Sequence, residues 1–398
     1  MKTSTAPNTK LTLLALAISA FGIGSTEFIS VGLLPLITDD FGISLSTAGL
    51  TVSIYALGVT IGAPLLTVLT SRLDRKKVLL LVMVIFIVGN LSAAIAPTFL
   101  FLLIGRIISA LAHGVFMSIA SVIAAEVVAP DKRASAIAFM FTGLTLATVT
   151  GVPLGTFIGQ LSDWRLSFVF IVIIGVIGLI CNALLVPDNL SKSNPISLRD
   201  IGKVLSNFRM LLILLVTAIG YGGAFVVYTY VSPILEKHMG YSPRAIVAIL
   251  VVYGVFVAIG NTVGGKFANS NPLRAIFFSF VGLALALLGI YFSFDSKIIG
   301  LLMVILMGLF MFMNVPGLQL YAVQVSEKYI PSATAMASAL NISAFNVGIF
   351  LGSYVGGVTV RYQSLEFTPI YGVLMVAVAA SITLVWLIFE NKKKDSSI

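Results

Sequence analysis

Apolar, nearly charge-free stretches long enough to cross a bilayer tile this chain from end to end. A membrane helix needs about 20 largely apolar residues. Inside lipid, a helix is one of the few structures that satisfies its own backbone polar groups. The stretches fall near 11–37, 46–70, 77–96, 98–125, 134–158, 166–187, 209–234, 245–265, 273–293, 298–321, 333–358 and 367–389. They predict an all-α membrane protein with twelve transmembrane helices. The first stretch follows Lys2 and Lys10 like a signal peptide. It is too long for one, lacks a small-x-small cleavage site and is followed by more spans, so it is expected to stay.

Composition matters here for what it excludes. Of 398 residues, 59% are hydrophobic and 10% are charged, against about 25% charged in a soluble domain. A soluble enzyme, a disordered chain and a disulfide scaffold are all ruled out; the one cysteine, Cys181, has no intramolecular partner. The net charge of +9 would point to nucleic acid in a soluble protein. In a membrane protein, Lys and Arg report orientation instead. With the N-terminus placed in the cytoplasm, eighteen of the 24 Lys and Arg fall on that side. Five (Arg165, Lys237, Arg244, Lys297 and Arg361) fall outside, and Arg106 lies within a span. The expectation is a multi-pass cell-membrane protein with both termini cytoplasmic and no nucleic-acid partner.

The two halves match at an offset near 198. Gly22, Gly24, Pro35 and Gly42 correspond to Gly220, Gly222, Pro233 and Gly240. Gly105 and Gly114 match Gly308 and Gly317, and Gly155 and Gly159 match Gly352 and Gly356. Six helices repeated in one orientation predict two pseudo-symmetric bundles, the parallel-repeat plan of transporters that bind substrate at mid-membrane between repeats. The expected divisions are an N-terminal bundle over 1–187, a cytoplasmic linker over 188–208 and a C-terminal bundle over 209–398. Leu198, Ile201, Leu205 and Phe208 recur at helical spacing in the linker, which reads equally as a short amphipathic helix or as a solvated connection.

Several local patterns together carry a family resemblance. They are Gly24-Ser-Thr-Glu27-Phe28 with Leu33-Leu34-Pro35, Tyr55-Ala-Leu-Gly58, Gly105-Arg106 with His113-Gly114, Gly151-Val-Pro153-Leu-Gly155, Trp164-Arg165 and Ala344-Phe-Asn346-Val-Gly348. With them the chain resembles the major facilitator superfamily, and within it the twelve-helix drug:proton antiporter branch. That branch includes bacterial arabinose-type sugar, purine and chloramphenicol exporters. The resemblance spans nearly the whole chain and does not specify a substrate.

Glu27 and Arg106 are the two formal charges well inside spans. Charges at bilayer depth are costly and mark ion paths or interior pairs. By helical rise, Glu27 lies about 15 Å and Arg106 about 12 Å from the outer end of its span, so the two depths are compatible with contact. Burial and a nearby guanidinium push a carboxyl in opposite senses, which suits an acid that titrates when its partner moves. A permanent pair that fixes packing is the plainer alternative. Phe225 and Leu309 stand at the matching places of the second half, which favours a task specific to the first. His113 follows Arg106 by seven residues on nearly one helix face. It reads as a proton carrier or as a neutral packing histidine.

Gly143, Ala147, Gly151 and Gly155 form a four-residue stripe in the fifth span, with Pro153 able to bend it. The stripe resembles the antiporter motif of the family's exporters, with Val152 between its glycine and proline. The cytoplasmic loop motif survives here as Arg72, Asp74, Arg75 and Lys76. Thr67, Ser71 and Asp74 replace the family's usual Gly, Asp and Gly, so the usual latch of that loop is not expected in its ordinary form. Tyr221, Tyr228 and Tyr230, Asn314 and Gln319, and Asn341 and Asn346 place polar and aromatic groups in the second half. Tyr230 and Tyr321 read as interfacial belt residues.

No zinc cluster, Cys–His pair or P-loop is present, so no metal, cofactor or enzymatic activity is expected. The reading is a proton-gradient-driven exporter of a small organic molecule. Glu27, Arg106 and His113 would handle protons; Tyr55, Phe225, Tyr228, Asn314 and Asn346 would handle substrate. A proton-coupled importer or facilitator on the same fold is the alternative. The other expected partners are protons and the lipid bilayer, and a monomer is what the resemblance implies.

Overall fold

The structure is a computed structural model that describes residues 9–70, 73–129, 133–190, 198–294 and 296–395. Among the described residues, twelve helices are long and apolar enough to cross a membrane. They are α1 (Thr9–Phe41), α2 (Leu45–Ala63), α3 (Arg75–Ala94), α4 (Phe99–Glu126), α5 (Ala136–Leu161) and α6 (Arg165–Leu185), then α7 (Phe208–Tyr228), α8 (Pro243–Ser270), α9 (Pro272–Phe292), α10 (Lys297–Tyr329), α11 (Met336–Tyr362) and α12 (Leu365–Glu390). The expected all-α membrane fold is what the chain adopts. Burial separates the helices by role. The apolar windows of α1 and α7 are 83% and 72% covered, whereas those of α6 and α12 are each 28% covered. The two most enclosed helices are therefore repeat mates.

The duplication is written into the backbone at its tightest points. Among the described residues, Gly42 and Gly240, matched in sequence, are the two positive-φ glycines, at 60° and 65°. That left-handed turn lets the chain reverse after a long helix, and glycine adopts it without a Cβ penalty. Two residues later, Ser44 accepts from the Thr47 amide and Ser242 from the Ala245 amide. Each half thus restarts its second helix with the same serine cap, which satisfies an otherwise orphaned N–H.

By packing, the chain divides into two compact units, Met1–Ser30 with Leu57–Ile196, and Val31–Ala56 with Ser197–Ile398. In the first unit, the small residues of α5 lie on α1 in register. A Cβ on Gly143 would meet the Ala17 carbonyl, one on Gly151 would meet Ser25, and one on Gly155 would meet Ile29. Gly105 packs on Gly89 in the same way, bringing α4 against α3. Just before Pro153, residues Ala147–Gly151 open into a wide π-helical turn. Proline has no N–H to donate and disturbs the ladder there.

In the second unit, α11 lies on α7 through Gly348, Gly352 and Gly356, which face the backbone of Ala218, Gly222 and Val226. α7 ends earlier than its apolar run predicts. It stops at Tyr228, and the chain continues through a short turn, Val231–Pro233, into a π-helical turn at Ile234–His238. Ser46 donates to the Gly357 carbonyl at 2.7 Å. Tyr230 is fully buried against Gly49 and Gly356, and Tyr321 donates to Glu390 at 2.8 Å beside Trp386. Both tyrosines are interior packing residues, so the interfacial-belt expectation fails for them. The linker helix forms as Leu198–Leu205. Its inward residue is Val204, while Leu205 and Phe208 stay exposed.

Candidate functional site

Among the described residues, Glu27 and Arg106 are the only buried residues of fixed formal charge, 8% and 0% exposed. Arg106 is carried into the first unit by α4. Its guanidinium donates to two backbone carbonyls of α1, Thr26 at 2.6 Å and Glu27 at 3.3 Å. The side chain of Thr26 is tied as well: its hydroxyl donates to the Asn90 side-chain oxygen of α3 at 3.1 Å. Arg106 therefore clamps the backbone of α1 at the residue that bears the acid. Guanidinium suits this because its rigid fork of donors reaches two acceptors at once. Among the described residues, no hydrogen bond or ion pair reaches the Glu27 carboxyl. The expectation of a guanidinium near the acid holds in position, but the contacts run to the main chain. His113 is buried on α4, 6% exposed. The Gly143, Gly151, Pro153 and Gly155 stretch seats directly on this part of α1. Ser25, whose side chain faces Gly151, is two residues from Glu27.

The cytoplasmic loop motif is partly described. Asp74 pairs with Lys77 at 2.8 Å, Arg75 pairs with Glu126 at the end of α4, and Lys76 pairs with Asp188 at 2.8 Å. The basic cluster thus ties α3 to α4 and to the chain after α6. Arg72 lies outside the described residues, and so does Ser71.

The substrate candidates all fall in the second unit. Phe225 is fully buried at the centre of an aromatic cluster. Its ring lies 5.2 Å from Tyr221 and 5.5 Å from Tyr228. Tyr228 stacks on Tyr253 at 5.1 Å and 11°. Tyr221 meets Phe312 of α10 at 6.0 Å and Phe345 of α11 at 5.0 Å, both edge to face. Tyr55 is also buried, 1% exposed, and Tyr253 is its counterpart at the repeat offset. Asn314 and Asn346, on the same two helices as those phenylalanines, are 0% and 6% exposed. Sequence reasoning missed Tyr253 and Phe345 as members of this cluster, because which way a ring faces depends on the rotation of its helix and not on residue type.

Twelve spans, two duplicated halves and a buried acid beside an anchored arginine define a multi-pass membrane transporter. The chain belongs to the Major Facilitator Superfamily, whose family model matches residues 16–334. It is 54% identical over 371 residues to the uncharacterized MFS-type transporter YtbD of Bacillus subtilis, covering 93% of this chain and 94% of the relative. It is 37% identical to the inner membrane transport protein YdhP of Escherichia coli K12, covering 97% of each. The putative transporter AraJ of the same organism is 30% identical over 87% of each chain. Among solved structures, a bacterial homolog of the human lysosomal transporter Spinster superposes with a TM-score of 0.76 at 16% identity, over 96% of this chain and 97% of that one. A D-xylose-proton symporter gives 0.74 at 16% identity, over 94% and 96%. The relatives are transporters, and this chain is one too rather than an enzyme.

Proposed function

We propose that this chain is a proton-coupled antiporter that exports a small organic molecule (a drug, sugar or nucleoside) by alternating access. It would sit in the cell membrane with both termini cytoplasmic, powered by the proton gradient and without a cofactor. The observation that carries this reading is the Glu27 carboxyl, buried at membrane depth while Arg106 holds the main chain of the same residue. An acid locked in a tight pair keeps its charge; one held near a cation that is spent elsewhere is free to gain and lose a proton. Arg106 keeps α1 in place through both states. His113, on the same helix, is the candidate relay. The glycine stripe and wide turn of α5 lie on α1 beside Glu27, so a change of charge there acts directly on the seam that must shift.

The test is Glu27→Gln in proteoliposomes. Uphill export driven by a pH step is expected to vanish while exchange down a gradient persists. Continued uphill export by that variant would sink the coupling role. A protonophore added to intact cells decides direction. Cells with an exporter should then retain more substrate, and cells with an importer less.

A further inference from the structure

One ring of the second unit carries two cations and no acid. Arg209, the second residue of α7, lies over the Tyr329 ring at 4.1 Å. Lys328, beside Tyr329 at the end of α10, lies 5.5 Å from the same ring centre. Both cations are exposed. Sharing one ring puts the two charges within about a Debye length of each other, about 10 Å at 0.1 M salt, where like charges repel. Elsewhere on the segments assigned to the cytoplasm, cations are neutralised: Arg75 by Glu126, Lys76 by Asp188, Lys77 by Asp74 and Lys203 by Asp200. Among the described residues, no acid comes within 4 Å of Arg209 or Lys328. Glu327 is exposed next to Lys328 without pairing to it, and Glu390 accepts from Tyr321. Lys10, Lys266 and Arg274 lack an acid too, so an unpaired cation by itself is ordinary in this chain. Among the described residues, Tyr329 is the one ring that gathers two. A guanidinium and an ammonium held by one aromatic ring make a preformed seat for an anion.

The surface beside that seat identifies the kind of anion. α7 is the most enclosed span of its unit. Phe208, Leu211 and Leu215 are, with Arg209, its only exposed residues, and Phe208 is 74% exposed. Spacings of three and four put these apolar side chains on one stripe. The stripe climbs about 10 Å, within the roughly 15 Å depth of one leaflet's hydrocarbon. Its start is fixed, because the Asn207 side chain accepts from the Arg209 and Met210 amides at 3.1 and 3.2 Å. Those amides are thereby used, which leaves the anion to the two side chains. Past α12 the sequence continues with Lys392, Lys393 and Lys394, a basic run of the kind that anionic leaflets attract. Free phosphate would use the cations alone, and a neutral hydrocarbon the stripe alone. A phospholipid uses both.

We infer that the cytoplasmic end of α7 binds one anionic phospholipid of the inner leaflet, with its phosphate between Arg209 and Lys328 and a chain along Phe208, Leu211 and Leu215. Tyr329 is the positioning residue that keeps both cations in place. The choice of leaflet rests on the orientation proposed above; the site itself rests neither on that nor on Glu27.

Melting curves of the purified full chain in detergent test the site, each variant read against its own lipid-free curve. Dioleoyl phosphatidylglycerol should raise the melting temperature saturably. Dioleoyl phosphatidylcholine, with the same chains and no net charge, should need at least about fivefold more. Glycerol 3-phosphate, the anion without chains, should give no rise. One basic contact at a lipid surface is worth about fivefold in affinity. Arg209→Gln and Lys328→Gln should therefore each raise the half-saturating phosphatidylglycerol concentration about fivefold, and together about 25-fold. Arg209→Lys should keep most of the binding, whereas Tyr329→Leu and Phe208→Ser should each weaken it. Lys266→Gln removes an unpaired cation elsewhere and should change nothing. An equal response to the two lipids, a saturable response to glycerol 3-phosphate, a double variant that binds like the parent, or Lys266→Gln as damaging as Arg209→Gln would overturn the lipid site. Protease access to the C-terminus in intact cells checks the leaflet, and cleavage from outside would overturn the inner-leaflet assignment. Glu27→Gln should bind the lipid as the parent does, so a failed coupling scheme and a failed lipid site leave different traces.

Discussion

At one repeat position the first half of this chain carries Glu27 and the second carries Phe225. Both are buried, yet they sit in opposite chemical settings. Around Glu27, a guanidinium grips main-chain carbonyls and a threonine–asparagine bond ties α1 to α3. Around Phe225, rings pack on both sides, Tyr221 tilted at 58° and Tyr228 edge to face at 87°. The glycine seams beneath the two residues are alike: α5 lies on α1 as α11 lies on α7. Duplication thus kept the scaffold and changed what it encloses. One unit encloses a charge; the other encloses rings and uncharged amides.

The largest effect should come from forcing one setting into the other. Phe225→Glu buries a carboxyl among rings with no anchored cation, a cost of several kcal/mol. Loss of folded, monodisperse protein is expected. Glu27→Leu is the opposite case. It removes a buried acid, so the melting temperature should hold or rise while uphill transport disappears. Size-exclusion profiles, melting curves and proteoliposome flux read the two variants side by side. Equal loss of folding in both would mean that Glu27 is chiefly a structural residue.

Much of this division is legible in the amino-acid sequence, and the part that is not has a common cause. Lipid forces the backbone into helices, so apolar run length alone predicts the twelve spans. Gly42 and Gly240 announce the repeat because a left-handed turn tolerates little else. The rotation of a helix about its own axis is another matter. It decides that Tyr230 and Tyr321 face inward rather than toward the headgroups. It also decides that Arg106, with five donors, spends at least two on carbonyls. Asparagine type cannot distinguish Asn341, bonded at both ends of its amide, from Asn314, bonded at one; only the partners do. The π-helical turn before Pro153 was foreseeable as a bend and not as a widening.

A middle-sized effect tests the seams. A Cβ on Gly24 would stand 2.9 Å from the Ala147 side chain and 3.3 Å from the Leu144 Cα. A Cβ on Gly222 would stand 2.5 Å from the Gly348 carbonyl oxygen and 2.9 Å from its carbon. An alanine Cβ is as fixed as main chain, so neither contact clears without moving a helix, but the approach at Gly222 is the closer of the two. Overpacking costs about 1–3 kcal/mol, so Gly222→Ala should fall at the upper end and Gly24→Ala at the lower. Denaturant titration in micelles orders the two. The reverse order would mean that the α1–α5 seam, despite its longer contacts, is the more rigid one.

The smallest effect is where the halves should not differ at all. Ser44 and Ser242 each follow the left-handed glycine by two residues and cap the helix that comes next, at 3.1 Å and 3.3 Å. Removing a serine cap costs about 1 kcal/mol, because one N–H loses its partner and turns to water. The Ser44 hydroxyl also lies 2.8 Å from that of Thr47. That bond is exposed, so solvent replaces it and it adds little. Ser44→Ala and Ser242→Ala should therefore destabilise equally, within about 0.5 kcal/mol, and leave transport unchanged. The two caps are the control for the whole comparison. If Ser44→Ala alone impairs transport, that turn has taken on a task its twin lacks. The division of labour would then begin at the first helix reversal and not at Glu27.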